Sequence, residues 1–460
     1  MTRTETLIDD IRRRIATGAL VPGDRLASVR RYAAMMTVSP STVVEAYDRL
    51  AAEGLIRARR GAGFYVSGTP LVTRSLADNS NSRRREVDPF WVSRQSLDAS
   101  AGELTPGCGW LPADWMPHEA LRKGLRQLTR SSDTLLTDYG SSRGSATLRH
   151  LLLARFAREG LSASMEQLML TGSGSQALDL LCRFLLRPGD SVVVDDPCYF
   201  NFQALLRAHQ VNIVGVPYTP TGPDIAVFEQ VVATVRPRLY ITNSALHNPT
   251  GACLSAQTAY RVLSAAAAND TLIIEDDIFA DFEPDPSPRL AIPDGLDRVI
   301  RTGSFSKTLS ASVRCGYIAC RAEWIEGLID LQIATNFGGP SPLSSELIAS
   351  VLAGGSYRKH LAEVITRLDR ARKEATERLT ALGVIPWIVP RGGFYLWCRL
   401  PEGIDSALIA QRCREEGVVL APGNVFSVSQ SATAYLRFNV AHLNARVYRV
   451  LQQAIAEQQS

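Results

Sequence analysis

The sequence predicts an α/β protein preceded by a small helical unit, on three observations. From about residue 99 onward, short apolar segments alternate with amphipathic helical ones, the pattern of a sheet covered by helices on both faces. Residues 1–68 show three helical periods and a hairpin instead. Residues 69–98 read as a linker, because Ser75 to Arg85 is polar and aperiodic. The 460 residues are 45% apolar and 21% charged, a globular composition. The longest apolar runs, such as Leu151–Ala154, fall far short of the roughly 20 residues that cross a bilayer. The N-terminus has no apolar leader, so a cytoplasmic protein with no membrane partner is expected. The eight cysteines lie singly, with no C-x-x-C pair, which argues against a disulfide scaffold and predicts no metal site.

In residues 4–18, Leu7, Ile11 and Ile15 share a helical face, with Gly18 as a stop. Val21 to Asp24 reads as a turn. Ala27 to Met36 predicts a second helix with Ser28 near its start, and Val38 to Ser41 breaks it. A third helix from about Ser41 to Glu53 carries Val43, Ala46, Tyr47 and Leu50 on one face, with Gly54 as its stop. Leu55–Arg60 and Phe64–Val66 predict a hairpin about Gly61–Gly63. This order is a winged helix-turn-helix, whose third helix enters the major groove. Ser39, Ser41 and Thr42 at its start would reach bases or phosphates. Arg30, placed at the end of the second helix, and Arg57, Arg59 and Arg60 of the wing would clamp the backbone. Residues 1–68 hold 11 arginines and 7 acids, so the whole formal excess of +4 sits there. The stretch 26–66 resembles the GntR-type winged-helix family, apart from Ala27, where that family commonly has proline. The resemblance implies operator contacts at Arg30, Ser39, Ser41, Thr42, Arg60 and Gly61.

In the main body, Leu168–Leu170, Val192–Val194, Leu239–Ile241, Leu272–Ile274, Val299–Ile300 and Tyr317–Ala319 read as buried strands. A long amphipathic helix, Tyr357–Leu382, opens a small α+β part at about 355–460. Thr171–Ala177 fits G-x-G-x-x-A between a strand and a helix, with Asp195 and Asp196 about 20 residues on. That pattern alone admits a nicotinamide dinucleotide; what it requires is a phosphate at a helix N-terminus. Lys307 is more telling. Only four lysines occur, and Lys123, Lys359 and Lys373 sit in charged amphipathic helices. Lys307 follows a strand between hydroxyls, where it can form a Schiff base while Ser304 and Ser306 bind phosphate and Arg314 pairs with it. Asp276 or Asp277 can face a pyridine nitrogen.

These motifs resemble the fold-type I pyridoxal-phosphate proteins of the aspartate-aminotransferase superfamily over about 102–440. Y-G…G…L-R (139–149), G-S-G-S-Q-A-L (172–178), D-D-P-C-Y (195–199), H-N-P-T-G (247–251), E-D-D-I-F (275–279), S-F-S-K (304–307) and L-R-F-N (436–439) carry the likeness. The resemblance implies pyridoxal 5'-phosphate as cofactor. It implies an internal aldimine at Lys307, Asp276 on the pyridine nitrogen, Tyr199 stacked on the ring and Asn248 on the ring hydroxyl. Gly174, Ser175, Gln176, Ser304, Ser306 and Arg314 would hold the phosphate. Tyr139 would reach the phosphate of a neighbouring subunit, and Arg437 a substrate α-carboxylate. The tyrosine usual two or three residues after the key aspartate is missing: Ile278 and Phe279 stand there, without a donor.

The two parts together resemble the MocR/GabR-type transcriptional regulators: a winged helix at 1–68, a linker at 69–98 and an aminotransferase-like domain at 99–460. The resemblance implies a homodimer on double-stranded operator DNA, sensing an amino acid or amine through aldimine exchange at Lys307. Two alternatives stay open, a working aminotransferase with an appended DNA-binding domain and a sensor of pyridoxal phosphate itself. A nicotinamide enzyme ranks last, because it leaves Lys307, Asn248 and Arg314 without a role. Gly102–Trp115 and Thr335–Pro342 are expected to line the entrance.

Overall fold

The structure is a computed structural model that describes every residue except 1–2, 17–19, 21–23, 60–62, 68–88, 101, 131–132, 338 and 460. The chain divides into two compact units, Met1–Arg85 and Glu86–Ser460. Gly18, Val21–Gly23, Arg60, Gly61 and most of the linker lie outside the described residues.

In the first unit, α1 (Arg3–Ala16) buries Leu7, Ile8 and Ile11. The α2 helix (Val29–Met36) starts at Ser28, whose Oγ accepts from the Arg31 amide. Arg30 therefore stands in the first turn of α2, not at its end, because the Ser28 cap fixes where the helix begins. The α3 helix (Pro40–Ala52) is capped by Ser39, whose Oγ accepts from the Thr42 amide, with Pro40 at a first-turn position that needs no N–H. Val43, Ala46, Tyr47 and Leu50 form its buried face. The Tyr47 hydroxyl donates to the Ala27 carbonyl at 2.8 Å and so ties α3 to the turn before α2. Strands β1 (Ile56–Arg59) and β2 (Gly63–Val66) pair antiparallel, with Ile56 opposite Val66. One core holds these elements together.

The second unit begins with a correction. The linker reading runs to residue 98, yet residues 89–97 form helix α4 (Pro89–Leu97). Val92 is buried in the core of this unit, and Gln95 accepts from Arg414 at 2.5 Å. Tertiary burial, not a strong local period, makes this segment helical.

Eight strands form the main sheet: β3 (Leu168–Thr171), β4 (Ser191–Asp196), β5 (Asn212–Thr219), β6 (Gly222–Pro223), β7 (Leu239–Thr242), β8 (Leu272–Asp276), β9 (Val299–Ser304) and β10 (Gly316–Ala319), in the order β3-β10-β9-β8-β7-β4-β5-β6. The pairs among β5, β4, β7, β8 and β9 are parallel. β10 runs antiparallel to both its neighbours, a reversal that the strand spacing did not disclose. Two apolar cores, one on each face, bury the sheet under helices. A long helix, Ser356–Ala381, leads to a four-stranded antiparallel sheet of β11 (Ile385–Pro386), β12 (Tyr395–Arg399), β13 (Ala421–Pro422) and β14 (Tyr435–Asn439), in the order β11-β12-β14-β13. No helix among the described residues is long and apolar enough to cross a membrane.

The core of the first unit is its own, and all six tryptophans lie beyond residue 90. Leu50→Ala is expected to cost about 2–5 kcal/mol. The loss should appear in the first unit's calorimetric transition, while the unfolding curve read by tryptophan fluorescence stays in place.

Candidate functional site

Parallel strands bring their carboxyl ends to one edge, and ligands bind where the following turns converge. Here the turns after β3, β4, β7, β8 and β9 meet at one cavity of about 200 Å³. After β3 the chain enters helix Gly174–Leu185, capped by Ser173, whose Oγ accepts from the Gln176 amide at 3.0 Å. Ser173, Gly174 and Ser175 line the cavity at this helix N-terminus, where the amides and the helix dipole favour an anion. Ser304 and Ser306, after β9, face it with their hydroxyl oxygens 2.9 Å apart, and Arg314 joins them. β10 passes tightly beneath this turn: a Cβ at Gly316 would stand 2.6 Å from the Ser173 carbonyl carbon, so only glycine fits.

The end of β8 supplies Asp276. Successive residues of a strand point to opposite faces, so Glu275 and Asp277 turn away while Asp276 faces the cavity. The rear carboxylates are fully engaged. Asp277 pairs with Arg289 at 2.7 Å and with Arg301. Glu275 accepts from the Ser244 hydroxyl and from the Leu290 and Ala291 amides at 2.7 and 2.9 Å. Arg301 is fully buried and also pairs with Glu159 at 2.6 Å. Burial pushes the Asp277 pKa upward, but Arg289 and Arg301 outweigh it and hold the group below the usual carboxylate range. Asp276 has no arginine paired with it among the described residues and accepts the Ile278 amide at 3.3 Å, and burial pushes its pKa up to about 7. Of the two aspartates left open by sequence, only Asp276 can serve a ligand.

Lys307 lines the same cavity, and burial lowers its ammonium pKa to about 8. Lys123, Lys359 and Lys373 are exposed on helices. Opposite stands Arg437 on β14, 1% exposed. It donates to Asn248 Oδ1 at 2.8 Å and to the Gly107 carbonyl at 2.7 Å, and Tyr395 and Phe426 flank its guanidinium at 4.2 and 4.7 Å. Its Nε is buried without a hydrogen-bond partner. Tyr199 and Asn248 complete the lining on the strand side.

Two of the sequence-predicted residues do not line this cavity, Gln176, expected here, and Tyr139, expected at a neighbouring subunit's phosphate. The Gln176 side chain turns back to accept the Gly172 amide. Tyr139 is 74% exposed and packs edge-on against Phe337. Of the two expected entrance loops, Gly102–Trp115 lines the cavity through residues 107–110, and the described residues of Thr335–Pro342 do not. The dinucleotide pattern loses its acidic partner: Asp195 is buried beneath Tyr240 and Thr242, and Asp196 accepts the Val428 and Ser429 amides. Sequence reading missed Ser173, Phe200 and Tyr395, and also Val92, Ser96 and Leu97 of α4. The continuous apolar run Phe394–Cys398 marks a buried strand but does not single out Tyr395. Nothing local marks α4.

On the first unit, Ser39 and Ser41 are exposed at the start of α3, and the Ser39 hydroxyl lies 2.8 Å from that of Ser41 and 2.7 Å from that of Thr42. Arg30, Arg57 and Arg59 are exposed.

Residues 111–455 match the model of the family "Aminotransferase class I and II". The chain belongs to that family. Residues 3–66 match "Bacterial regulatory proteins, gntR family", so a GntR helix-turn-helix domain precedes the aminotransferase domain. Two relatives share this length. The Escherichia coli protein called uncharacterized HTH-type transcriptional regulator YdcR is 27% identical over 96% of this chain and 95% of its own. The Staphylococcus aureus HTH-type transcriptional regulator NorG is 26% identical over 92% and 98%. Among solved structures, α-aminoadipate aminotransferase LysN from Thermus thermophilus, complexed with N-(5'-phosphopyridoxyl)-L-leucine, superposes with a TM-score of 0.73 at 25% identity. It covers 80% of this chain and 95% of its own. The multiple substrate aminotransferase of Thermococcus profundus gives 0.72 at 25% over the same shares.

Two outcomes follow for the aminotransferase domain. An amine must be neutral to attack an aldehyde, so uptake of added pyridoxal phosphate by the protein should quicken as pH rises through about 8 and then level off, as followed by stopped-flow absorbance. Asp277→Asn removes one carboxylate from Arg289 and Arg301, which keep Glu283 and Glu159, and should cost about 1.5–3 kcal/mol of the second unit's stability in urea unfolding.

Proposed function

We propose that the protein is a DNA-binding transcriptional regulator that holds pyridoxal 5'-phosphate at Lys307 and senses an amino acid or amine there. The observation that carries this reading is the joining of a GntR helix-turn-helix domain to a cavity lined by Lys307, Asp276, Ser304, Ser306 and Arg314, groups that suit that cofactor. The cavity's own chemistry fits the group. It has a buried amine of lowered pKa, a buried carboxylate facing inward, hydroxyls at a helix N-terminus beside Arg314, and a guanidinium nitrogen without a partner.

When bound, pyridoxal phosphate supplies an aldehyde that condenses with amines and a ring that withdraws electrons. Gly174, Ser175, Ser304, Ser306 and Arg314 would hold its phosphate. Asp276 would stay ionised beside a protonated ring nitrogen, because a neighbouring positive charge reverses the effect of burial. Tyr199 and Asn248 would orient the ring. Arg437 would hold the ligand's α-carboxylate through its free Nε. The ligand's amino group would then take the place of the Lys307 amine. A homodimer would present two α3 helices to a repeated or palindromic operator, with Arg30, Ser39, Ser41 and Thr42 of each copy at the DNA. A ligand that prefers one arrangement of the aminotransferase domains would shift the DNA-binding geometry.

The presence of both Lys307 and Arg437 in one cavity also favours a second reading, a working aminotransferase with an appended DNA-binding domain. Visible spectra with a panel of amino acids and amines separate the two. A lasting shift without release of an oxo acid supports sensing; repeated bleaching restored by an added oxo acid supports turnover.

Lys307→Ala should abolish the ligand's effect on operator binding while leaving basal DNA affinity measurable by fluorescence anisotropy. An unchanged ligand effect in that variant rules out sensing at Lys307.

A further inference from the structure

The α4 helix is the first element after the GntR domain and its linker in sequence, and it forms part of the wall of the cavity through Val92, Ser96 and Leu97. Two observations define what this wall can read. The first concerns charge. Among the described residues that line the cavity, the charged ones are Asp276, Lys307, Arg314 and Arg437. In the function proposed above, on which this inference rests, three of them serve the cofactor and Arg437 serves the ligand's α-carboxylate. None remains for a charged ligand side chain, and an unpaired charge is costly along the buried stretch of wall at Val92 and Ser96. The second observation is the Ser96 hydroxyl. Ser96 is 6% exposed, and its Oγ is buried without a hydrogen-bond partner. Val92, 1% exposed, and the Gln95–Arg414 hydrogen bond anchor the helix in the turn that leads to Ser96. Ser96 lines the cavity, and an unpaired hydroxyl on a lining residue needs only a side-chain rotation to meet a ligand's hydrogen-bonding group.

We propose that the ligand is an uncharged amino acid whose side chain is apolar apart from one hydrogen-bonding group, and that the Ser96 hydroxyl pairs with that group. Ligand recognition then involves the helix by which the chain enters the aminotransferase domain, so the element nearest the linker is ordered by the same molecule that occupies the cavity.

The test uses the full-length protein loaded with pyridoxal phosphate. Binding is measured by calorimetry for side chains of similar shape with and without a polar group, threonine against valine, tyrosine against phenylalanine and methionine against leucine, with glutamate and lysine alongside. At least one polar member should bind roughly fivefold tighter than its apolar match, the worth of one hydrogen bond. Ser96→Ala should erase that preference. Leu97→Lys, at a position 73% exposed and so tolerant of change, should bring glutamate into the accepted set. Amide exchange in residues 89–97 should slow when the preferred ligand binds. Tightest binding by glutamate or lysine to the unaltered protein overturns the proposal. So does a preference that survives Ser96→Ala together with unchanged ligand choice in Leu97→Lys. If the unaltered protein forms no visible cofactor band, the Lys307 reading itself fails and takes this proposal with it. A band that forms, yet responds to ligands identically in all three proteins, removes α4 alone.

Discussion

Asp277 is the constraint on which the site depends. Its carboxylate lies between two arginines, Arg289 and Arg301, in the interior behind β8. Arg301 comes from β9, so the pair ties neighbouring strands at their carboxyl ends, and the Asp277 amide extends the ladder to the Thr302 carbonyl. With Asp277 and Glu275 held on the rear face, strand alternation leaves Asp276 no orientation except toward the cavity. A single strand end thus presents three acids and sorts them. Two are neutralised by structure, and one is held ready for a ligand's positive charge.

The rest of the cavity is built on that edge. The glycine at position 316 lets β10 approach the turn after β3, which brings Ser173 and Gly174 beside Ser304 and Ser306. Lys307 follows on the same turn, and the burial that closes the cavity also lowers its pKa. Arg437 arrives from the other sheet, held by Asn248, the Gly107 carbonyl and flanking aromatic rings, with one nitrogen still unpaired. Desolvation moves the two pKa values in opposite directions, Lys307 down to about 8 and Asp276 up to about 7, because it disfavours the charged form of each.

A cavity of this kind does not by itself distinguish sensing from turnover, because binding and chemistry draw on the same residues. The fused GntR domain weighs toward sensing. So does Phe279, which is buried edge-on against Tyr395 where the aminotransferase resemblance leads one to expect a hydroxyl donor. In the proposed function the α4 helix would give regulation a physical route, since Val92, Ser96 and Leu97 line the cavity and the helix follows the linker in sequence.

Much of this was legible in the residues alone. The helix caps at Ser28 and Ser39, the buried face of α3, the strand spacing and the rarity of lysine all report local chemistry, and local chemistry is written in adjacent residues. The sequence by itself therefore determined the two-part α/β architecture and the candidacy of Lys307, while that of Arg437 came from the family resemblance. Only the tertiary structure decided between Asp276 and Asp277, because the choice rests on Arg289 and Arg301, which are distant in sequence. It also turned Gln176 away from the cavity, moved Arg30 to the start of its helix and made residues 89–97 a helix rather than linker. That helix forms because Val92 finds an apolar core and Gln95 finds Arg414, more than 300 residues away. Such partners leave no trace in the nine residues that depend on them.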